Sequence, residues 1–306
     1  MSDHREIYRQ SDTSSLPLYF RPFWLDVVAP GQWDVRFADG AGSSPFVFAR
    51  KGSRVFMPPF TQFLGPCFTS TEAKYTNRLS RDHEQTARVL DELPSYGALH
   101  LQLGTHVQNL LPYIWKKMSV SPRYSYILPA AKSPEEAFSD FRENIRREIR
   151  KAEKQFRVQR VAPGEIPGLL RHFDLRRTIK DPANIPVLQK LIQACYTNEA
   201  GYVLAALDSQ DAPRAFIFLA HDHSSLYYIS GAGTDAGKKG GALSMLMWQG
   251  IQDALSSGRA FDFEGSMVPS IERFFRAFGS EQKVYFEVRS FPSLLRRFVY
   301  WWRVLR

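Results

Sequence analysis

Apolar positions fall into a readable order from Ser133 onward. Phe138, Phe141, Ile145, Ile149, Ala152 and Phe156 recur at steps of three and four, the spacing of one face of a helix. Ser133-Pro-Glu-Glu marks the helix start as a capping box with proline at the first helical position. The opposite face carries Arg142, Arg146, Arg147, Arg150, Lys151 and Lys154 against Glu143, Glu148 and Glu153. The pattern predicts one strongly basic amphipathic helix, whose charges serve either an anionic partner or water alone.

A second helix is expected at 185–198, ending before Gly201. The runs Tyr202–Leu207, Arg214–Ala220 and Leu226–Ser230 read as strands, the first two joined by a polar turn through Asp208 and Pro213. Ala242–Ser257 reads as a helix stopped by Gly258. Ala260–Glu264 then reads as a strand, Ser270–Phe278 as a short helix and Val284–Val288 as a last strand. Such an order implies a mixed sheet with helices on its faces.

The first half repeats this order more faintly. Trp33–Phe37, Phe46–Ala49 and Arg54–Met57 look like strands, separated by turns at Gly40-Ala-Gly-Ser-Ser and Lys51-Gly-Ser. Thr71–Leu93 looks helical, Ala98–Leu103 like a strand, Val107–Lys117 helical and Tyr124–Leu128 a strand. The expected division is a domain over residues 1–130, a second over 131–290, and a basic aromatic tail over 291–306.

Composition adds a charge argument. The 306 residues carry 40 Lys and Arg against 31 Asp and Glu, a formal net charge of +9, so a phosphate-rich carrier, nucleic acid or acidic membrane suits the chain as partner. Cys67 and Cys195 are the only cysteines, too few for a disulfide framework and in keeping with a reducing compartment. The polar start and the lack of an apolar run near 18 residues predict a cytoplasmic protein without a spanning helix. The tail, with Arg296, Arg297, Arg303 and Arg306 among aromatics, fits either an anionic membrane face or its own protein.

The stretch with most chemical content lies between the strand at 226–230 and the helix at 242. Its core is Gly237-Lys-Lys-Gly240-Gly-Ala242. A glycine-rich turn bearing Lys238 and Lys239 and feeding a helix brings free N–H groups to one spot, which suits the phosphates of a nucleotide-type ligand. An ordinary surface loop before a capped helix is the plainer alternative.

That segment resembles the acyl-carrier loop of the GNAT acyltransferases, whose pattern is Gln/Arg-x-x-Gly-x-Gly/Ala; Gly240 and Ala242 match and Gly237 replaces the first residue. Asn144-Ile-Arg-Arg-Glu-Ile-Arg-Lys, Phe261-Asp-Phe-Glu-Gly-Ser and Ile271-Glu-Arg-Phe-Phe-Arg-Ala-Phe-Gly are similar to pieces of the tandem GNAT branch that includes the FemAB-type peptidoglycan-bridge aminoacyltransferases. The resemblance implies an α/β fold of two tandem GNAT-like domains, each a mixed central sheet flanked by helices. The second domain would hold the carrier, with Gly237, Lys238, Lys239, Gly240, Gly241 and Ala242 about its pyrophosphate, and the first would serve the acceptor.

The implied reaction is transfer of an acyl group from acyl-CoA to an amine, without a covalent enzyme intermediate. A FemAB-like transfer from aminoacyl-tRNA to a peptidoglycan precursor is the alternative, disfavoured because no long heptad pair lies between Ser133 and Gly279. A non-catalytic membrane-surface or ligand-binding protein on the same scaffold is a third reading. It is permitted because Phe275 stands where many GNAT enzymes place a proton-donating tyrosine.

Amide formation needs a neutral amine, a carbonyl close by and a place for one proton. Glu264 is the preferred base, with Asp262 beside it and Tyr228 as proton donor; a turn cap, a salt bridge and strand packing are the plain alternatives for these three. Tyr227 and Tyr285 are further donors in strands. His221-Asp-His223 lies in an expected hairpin turn, so no metal site is expected. The absence of a nucleophile elbow argues against covalent hydrolase chemistry.

Overall fold

The computed structural model describes residues 3–39, 44–68 and 74–291. Backbone packing divides the chain into two compact units, Met1–Arg123 with Val284–Arg306, and Tyr124–Lys283. The first thus ends a few residues before the division expected at 130, and the chain returns to it at Val284. The tail from 292 onward, most of the turn at Gly40 and the start of the helix expected at Thr71 lie outside the described residues.

In the first unit, α1 (Asp3–Gln10) and α2 (Pro22–Val28) precede β1 (Trp33–Phe37), β2 (Pro45–Lys51), β3 (Arg54–Phe56) and β4 (Gly65–Pro66). Then come α3 (Tyr75–Glu92), β5 (Ala98–Leu103) and α4 (Leu111–Trp115). The sheet runs β1-β2-β3-β5, with β4 paired to β2, and its only parallel pair among these is β3 with β5. Aromatic residues with polar handles hold the core. Trp24 Nε1 donates to Thr61 Oγ1 at 3.0 Å and Tyr8 donates to the Phe20 carbonyl at 2.8 Å, so burial leaves neither unsatisfied. The helix expected over 107–117 is confined to α4, with Pro112 in the first turn, where a missing N–H costs nothing, and Lys117 at φ 57° beyond its end.

The second unit begins within β6 (Ser119–Leu128) and continues through α5 (Pro134–Asp140), α6 (Glu143–Ala152), β7 (Arg157–Arg160), α7 (Ile166–His172) and α8 (Ile185–Thr197). Next are β8 (Gly201–Leu207), β9 (Pro213–His221), β10 (Ser225–Gly233), α9 (Asp235–Gly240), α10 (Ala242–Ser256), β11 (Ala260–Asp262) and α11 (Pro269–Arg276). A last strand, β12 (Glu281–Ser290), pairs antiparallel with β5 of the first unit from Phe286 to Ser290. The second unit's sheet has the order β6-β11-β10-β9-β8-β7, all antiparallel except β10 with β11.

One face of this sheet packs against α6 and α10 in a single cluster that includes Leu128, Ile145, Ile149, Leu204, Ile217, Leu246 and Phe261. The other face is reached by the segment before α8, where the Phe173 ring packs tilted at 55° against Phe216 with centroids 5.0 Å apart. No helix among the described residues is long and apolar enough to cross a membrane.

Two expectations change here. The capping box at Ser133 is present, with Glu136 N donating to Ser133 Oγ at 3.2 Å and Ser133 N to Glu136 Oε2 at 2.8 Å. The single long helix is instead two, because Phe141 is extended and the Arg142 N–H leaves the helix to donate to the Ala277 carbonyl at 2.9 Å. The flexible glycine turn is likewise a helix, α9, capped by the Thr234 hydroxyl, which accepts from Gly237 N at 3.1 Å.

Candidate functional site

Strands β10 and β11 pair for three residues only, Ser225 with Ala260 through Tyr227 with Asp262. Beyond that β11 ends, while β10 runs on to Gly233 after an irregularity between Tyr228 and Ser230. The result is a fork between two parallel strands. Past Tyr227, the edge of β10 toward β11 has no ladder partner among the described residues, leaving backbone groups for another hydrogen-bonding molecule.

The fork opens because the chain turns sharply after β11. Glu264 and Gly265 have φ of 59° and 65°, two consecutive residues in the left-handed region. A side chain at Gly265 would lie 2.1 Å from the Tyr124 carbonyl oxygen, so only glycine fits. Glu264 has no such freedom, and a non-glycine residue held there stores backbone strain. What holds it is Asp262, whose Oδ1 accepts from Glu264 N at 2.7 Å and from Ser125 Oγ at 2.7 Å.

Asp262 is 4% exposed. Burial pushes its carboxyl up to about 6, with the Asp222 charge adding to the rise and the bonds from Ser125 and Glu264 N opposing it. Burial also drives the half-buried Glu264 carboxyl well above the ordinary range. The strand expected to run through Glu264 stops at Asp262, so simple alternation does not place the two carboxyls on one face.

Tyr228 lies elsewhere. Its ring is 6.0 Å from that of Phe275, which is 5.2 Å from Phe263. Phe263 and Phe275 belong to the cluster beneath α10, whereas Asp262 alternates to the opposite face. The structure therefore brings Tyr228 to Phe275 from one strand, and Asp262 to Ser125 and the Glu264 backbone from the other. Burial pushes the Tyr228 phenol up to about 12, so it keeps its proton near neutrality. Phe275 itself is core, 5% exposed.

Tyr227 donates to Asp222 Oδ2 at 2.8 Å, and Asp222 Oδ1 accepts from Ser224 N and Ser225 N at 2.8 and 2.9 Å. His221 and His223 thus flank a buried carboxylate that shapes a hairpin. No group of three metal-ligating side chains occurs among the described residues.

The glycine segment forms a second feature, and a closed one. Lys238 N donates to the Thr234 carbonyl at 2.9 Å and Gly241 N to carbonyls of Gly237 and Lys238, so these amides serve α9 itself. Gly237, Gly240, Gly241 and Ala242 are buried, while Lys238 and Lys239 are exposed. Gly241 has φ 80°, and a Cβ there would sit 2.7 Å from the Glu148 carbonyl oxygen. Space at the start of α10 is given to α6. Lys151 of α6 donates to the Lys239 carbonyl at 2.8 Å, a cation at the C-terminal end of α9.

A mixed sheet flanked by helices is what the resemblance implied, and β10 and β11 are the parallel pair within it. Residues 139–276 match the family model described as an acetyltransferase (GNAT) domain. Over that segment the chain is similar to a GNAT domain. Three solved structures share the fold over most of the chain. The structure of FemX is 11% identical with a TM-score of 0.62, covering 92% of this chain and 94% of that one. The C-terminal domain of a putative lysylphosphatidylglycerol synthetase from Agrobacterium fabrum is 10% identical with a TM-score of 0.54, covering 94% and 90%. L-PGS from Bacillus licheniformis is 11% identical with a TM-score of 0.52, covering 88% of each chain. No curated protein sequence matches. The fold is thus α/β and of the tandem GNAT kind expected from the sequence.

Ser125 was not singled out from the sequence, although it is the polar residue within the apolar strand run Tyr124-Ser-Tyr-Ile-Leu. Glu148 was read only as part of a charged helix face and Ser244 was not singled out, since nothing in their spacing shows that α6 and α10 touch.

Proposed function

We propose that the GNAT domain transfers an acyl group from acyl-CoA to an amine, with the reaction placed at the fork between β10 and β11. The observation that carries this reading is the fork itself, flanked by a neutral phenol on one strand and a raised carboxyl beyond the end of the other. The amine attacks the thioester carbonyl directly, and the tetrahedral intermediate expels the thiolate. One proton must leave the amine and one must reach the sulfur. Glu264 is assigned the first, its high affinity for protons making it an effective base once ionised. Tyr228 is assigned the second. Asp262 positions Glu264 through the backbone bond to its N–H.

A second reading, transfer from aminoacyl-tRNA, draws support from the closed glycine segment. Amides engaged within α9 and roofed by α6 offer less to a single diphosphate, whereas the exposed Arg142, Arg147, Arg150, Lys151 and Lys154 suit a phosphate backbone. Likeness to FemX and L-PGS concerns the fold alone.

Thermal unfolding across a series of acyl-CoA species tests the first reading. A ligand at 100 times its dissociation constant stabilises by about 2.7 kcal/mol, and Lys238→Glu should diminish the shift without disturbing the core. Gly240 is unsuited to that test because a Cβ there would meet the Phe156 ring at 2.5 Å. Stabilisation by charged tRNA alone, steeply weakened by salt, would transfer support to the second reading.

A further inference from the structure

The turn that carries Glu264 is moulded against β6. Strand β11 pairs antiparallel with β6, Asp262 opposite Ile127, and one residue on, Phe263 N donates to the Tyr126 carbonyl at 2.9 Å. Ser125 lies two residues from Ile127, hence on the same face of the sheet and diagonal to Asp262 across the two strands. The two side chains meet there, Ser125 Oγ donating to Asp262 Oδ1 at 2.7 Å. Gly265, at the far side of the turn, presses on the same strand: a Cβ there would fall 2.6 Å from the Ser125 Cα.

Ser125 is fully buried and Asp262 nearly so. A hydroxyl placed inside a sheet is unfavourable unless it is hydrogen-bonded, and packing alone would be served as well by alanine. The carboxylate gives the hydroxyl its purpose. Asp262 Oδ1 accepts from Ser125 and from Glu264 N together, so the serine fixes the oxygen that in turn holds the Glu264 backbone at φ 59°. The same bond favours the ionised carboxylate, against burial and the charge of Asp222 from the β9–β10 hairpin. Tyr227 of β10, the ladder neighbour of Asp262, donates to Asp222. An ionised acceptor holds an N–H more strongly than a neutral one.

We propose that Ser125 is a positioning residue of the transfer site. Through Asp262 it holds the Glu264 backbone in the left-handed conformation, which sets the direction in which the carboxyl leaves the chain. The inference rests on the assignment of Glu264 as the base. Strand β6 thereby serves a reaction placed at β10 and β11 without touching the reacting atoms.

Ser125→Ala tests this by kinetics and, apart from any activity, by stability. With acetyl-CoA and a panel of primary amines as probes, kcat should fall about tenfold to a hundredfold, while the KM for acetyl-CoA stays that of the wild type. The acid limb of the rate profile should move to higher pH, because Asp262 loses a donor that favours its charge. Ser125→Thr keeps the hydroxyl and should restore both rate and profile. In urea unfolding, Ser125→Ala should lower the midpoint of the wild type more than that of Glu264→Gly, in which glycine adopts the turn unaided. Equal midpoint losses in the two backgrounds, or an unchanged kcat in Ser125→Ala, would overturn the proposal, since a serine that serves the fold alone is indifferent to residue 264. A wild type that forms no amide would instead remove the assignment of Glu264, and unequal midpoints would still show Ser125 holding the turn.

Discussion

Ser244 donates its hydroxyl proton to Glu148 Oε2 at 2.6 Å, fastening the first turn of α10 to α6. A carboxylate therefore already stands near the positive end of α10. The backbone approach beside it, between Gly241 and the Glu148 carbonyl, leaves no space for a methyl group.

That approach predicts an asymmetry between two glycines of similar backbone geometry. Gly241 and Gly258 have φ of 80° and 69°, but a Cβ at Gly258 meets nothing within 4 Å. Gly258→Ala should cost about 1 kcal/mol, the strain of the left-handed region alone. Gly241→Ala adds overpacking against α6 and should cost about 2–4 kcal/mol. Urea unfolding of both variants measures the difference; equal costs would mean that α6 does not sit as described.

Glu264→Gly should separate stability from activity. Glycine relieves the strain at φ 59° and should stabilise the protein by about 1 kcal/mol in urea unfolding. Acyl transfer should fall on the same substitution, since the assigned base is gone. A variant both weaker and inactive would assign Glu264 to the fold alone.

The buried Asp262 carboxyl makes a pH prediction. Its folded value, about 6, exceeds the ordinary 3.8, so between those values the folded chain holds a proton that the unfolded chain releases. Stability contributed by that proton is full below the ordinary value and lost as pH rises through about 6. Asp262→Asn keeps an acceptor for Ser125 and for Glu264 N but cannot ionise. Relative to wild type the variant should gain roughly 2 kcal/mol between pH 4 and pH 7, read from urea unfolding at each pH. Parallel pH profiles for the two proteins would contradict the burial argument.

Tyr228→Phe removes the assigned proton donor while keeping the ring against Phe275. The turnover rate should drop by about 10²-fold, the scale of general-acid contributions, with acyl-CoA affinity little changed. An unaltered rate would leave the thiolate to be protonated by water.

Much of this was legible in the sequence because local chemistry controls it. The cap at Ser133, the stop at Gly258 and the strands from Tyr202 to Ser230 follow from residues beside them. The fork did not, since it depends on which strands pair and for how long. The helix in the glycine segment was hidden for a related reason: Gly237, Gly240 and Gly241 read as a turn, yet each is a close approach to Arg214, Phe156 or Glu148, far off in the chain or on another helix. The break at Phe141 was hidden likewise, because Ala277 receives the Arg142 N–H from across the domain.

The central claim is amide formation at the fork, and mass spectrometry of the reaction mixture tests it most directly. Purified full-length protein incubated with acyl-CoA species and a panel of amines should convert thioester into amide in equal amounts. The yield should collapse in Glu264→Gln and Tyr228→Phe. Thioester left intact with every amine, while charged tRNA is also left unreacted, would contradict the account.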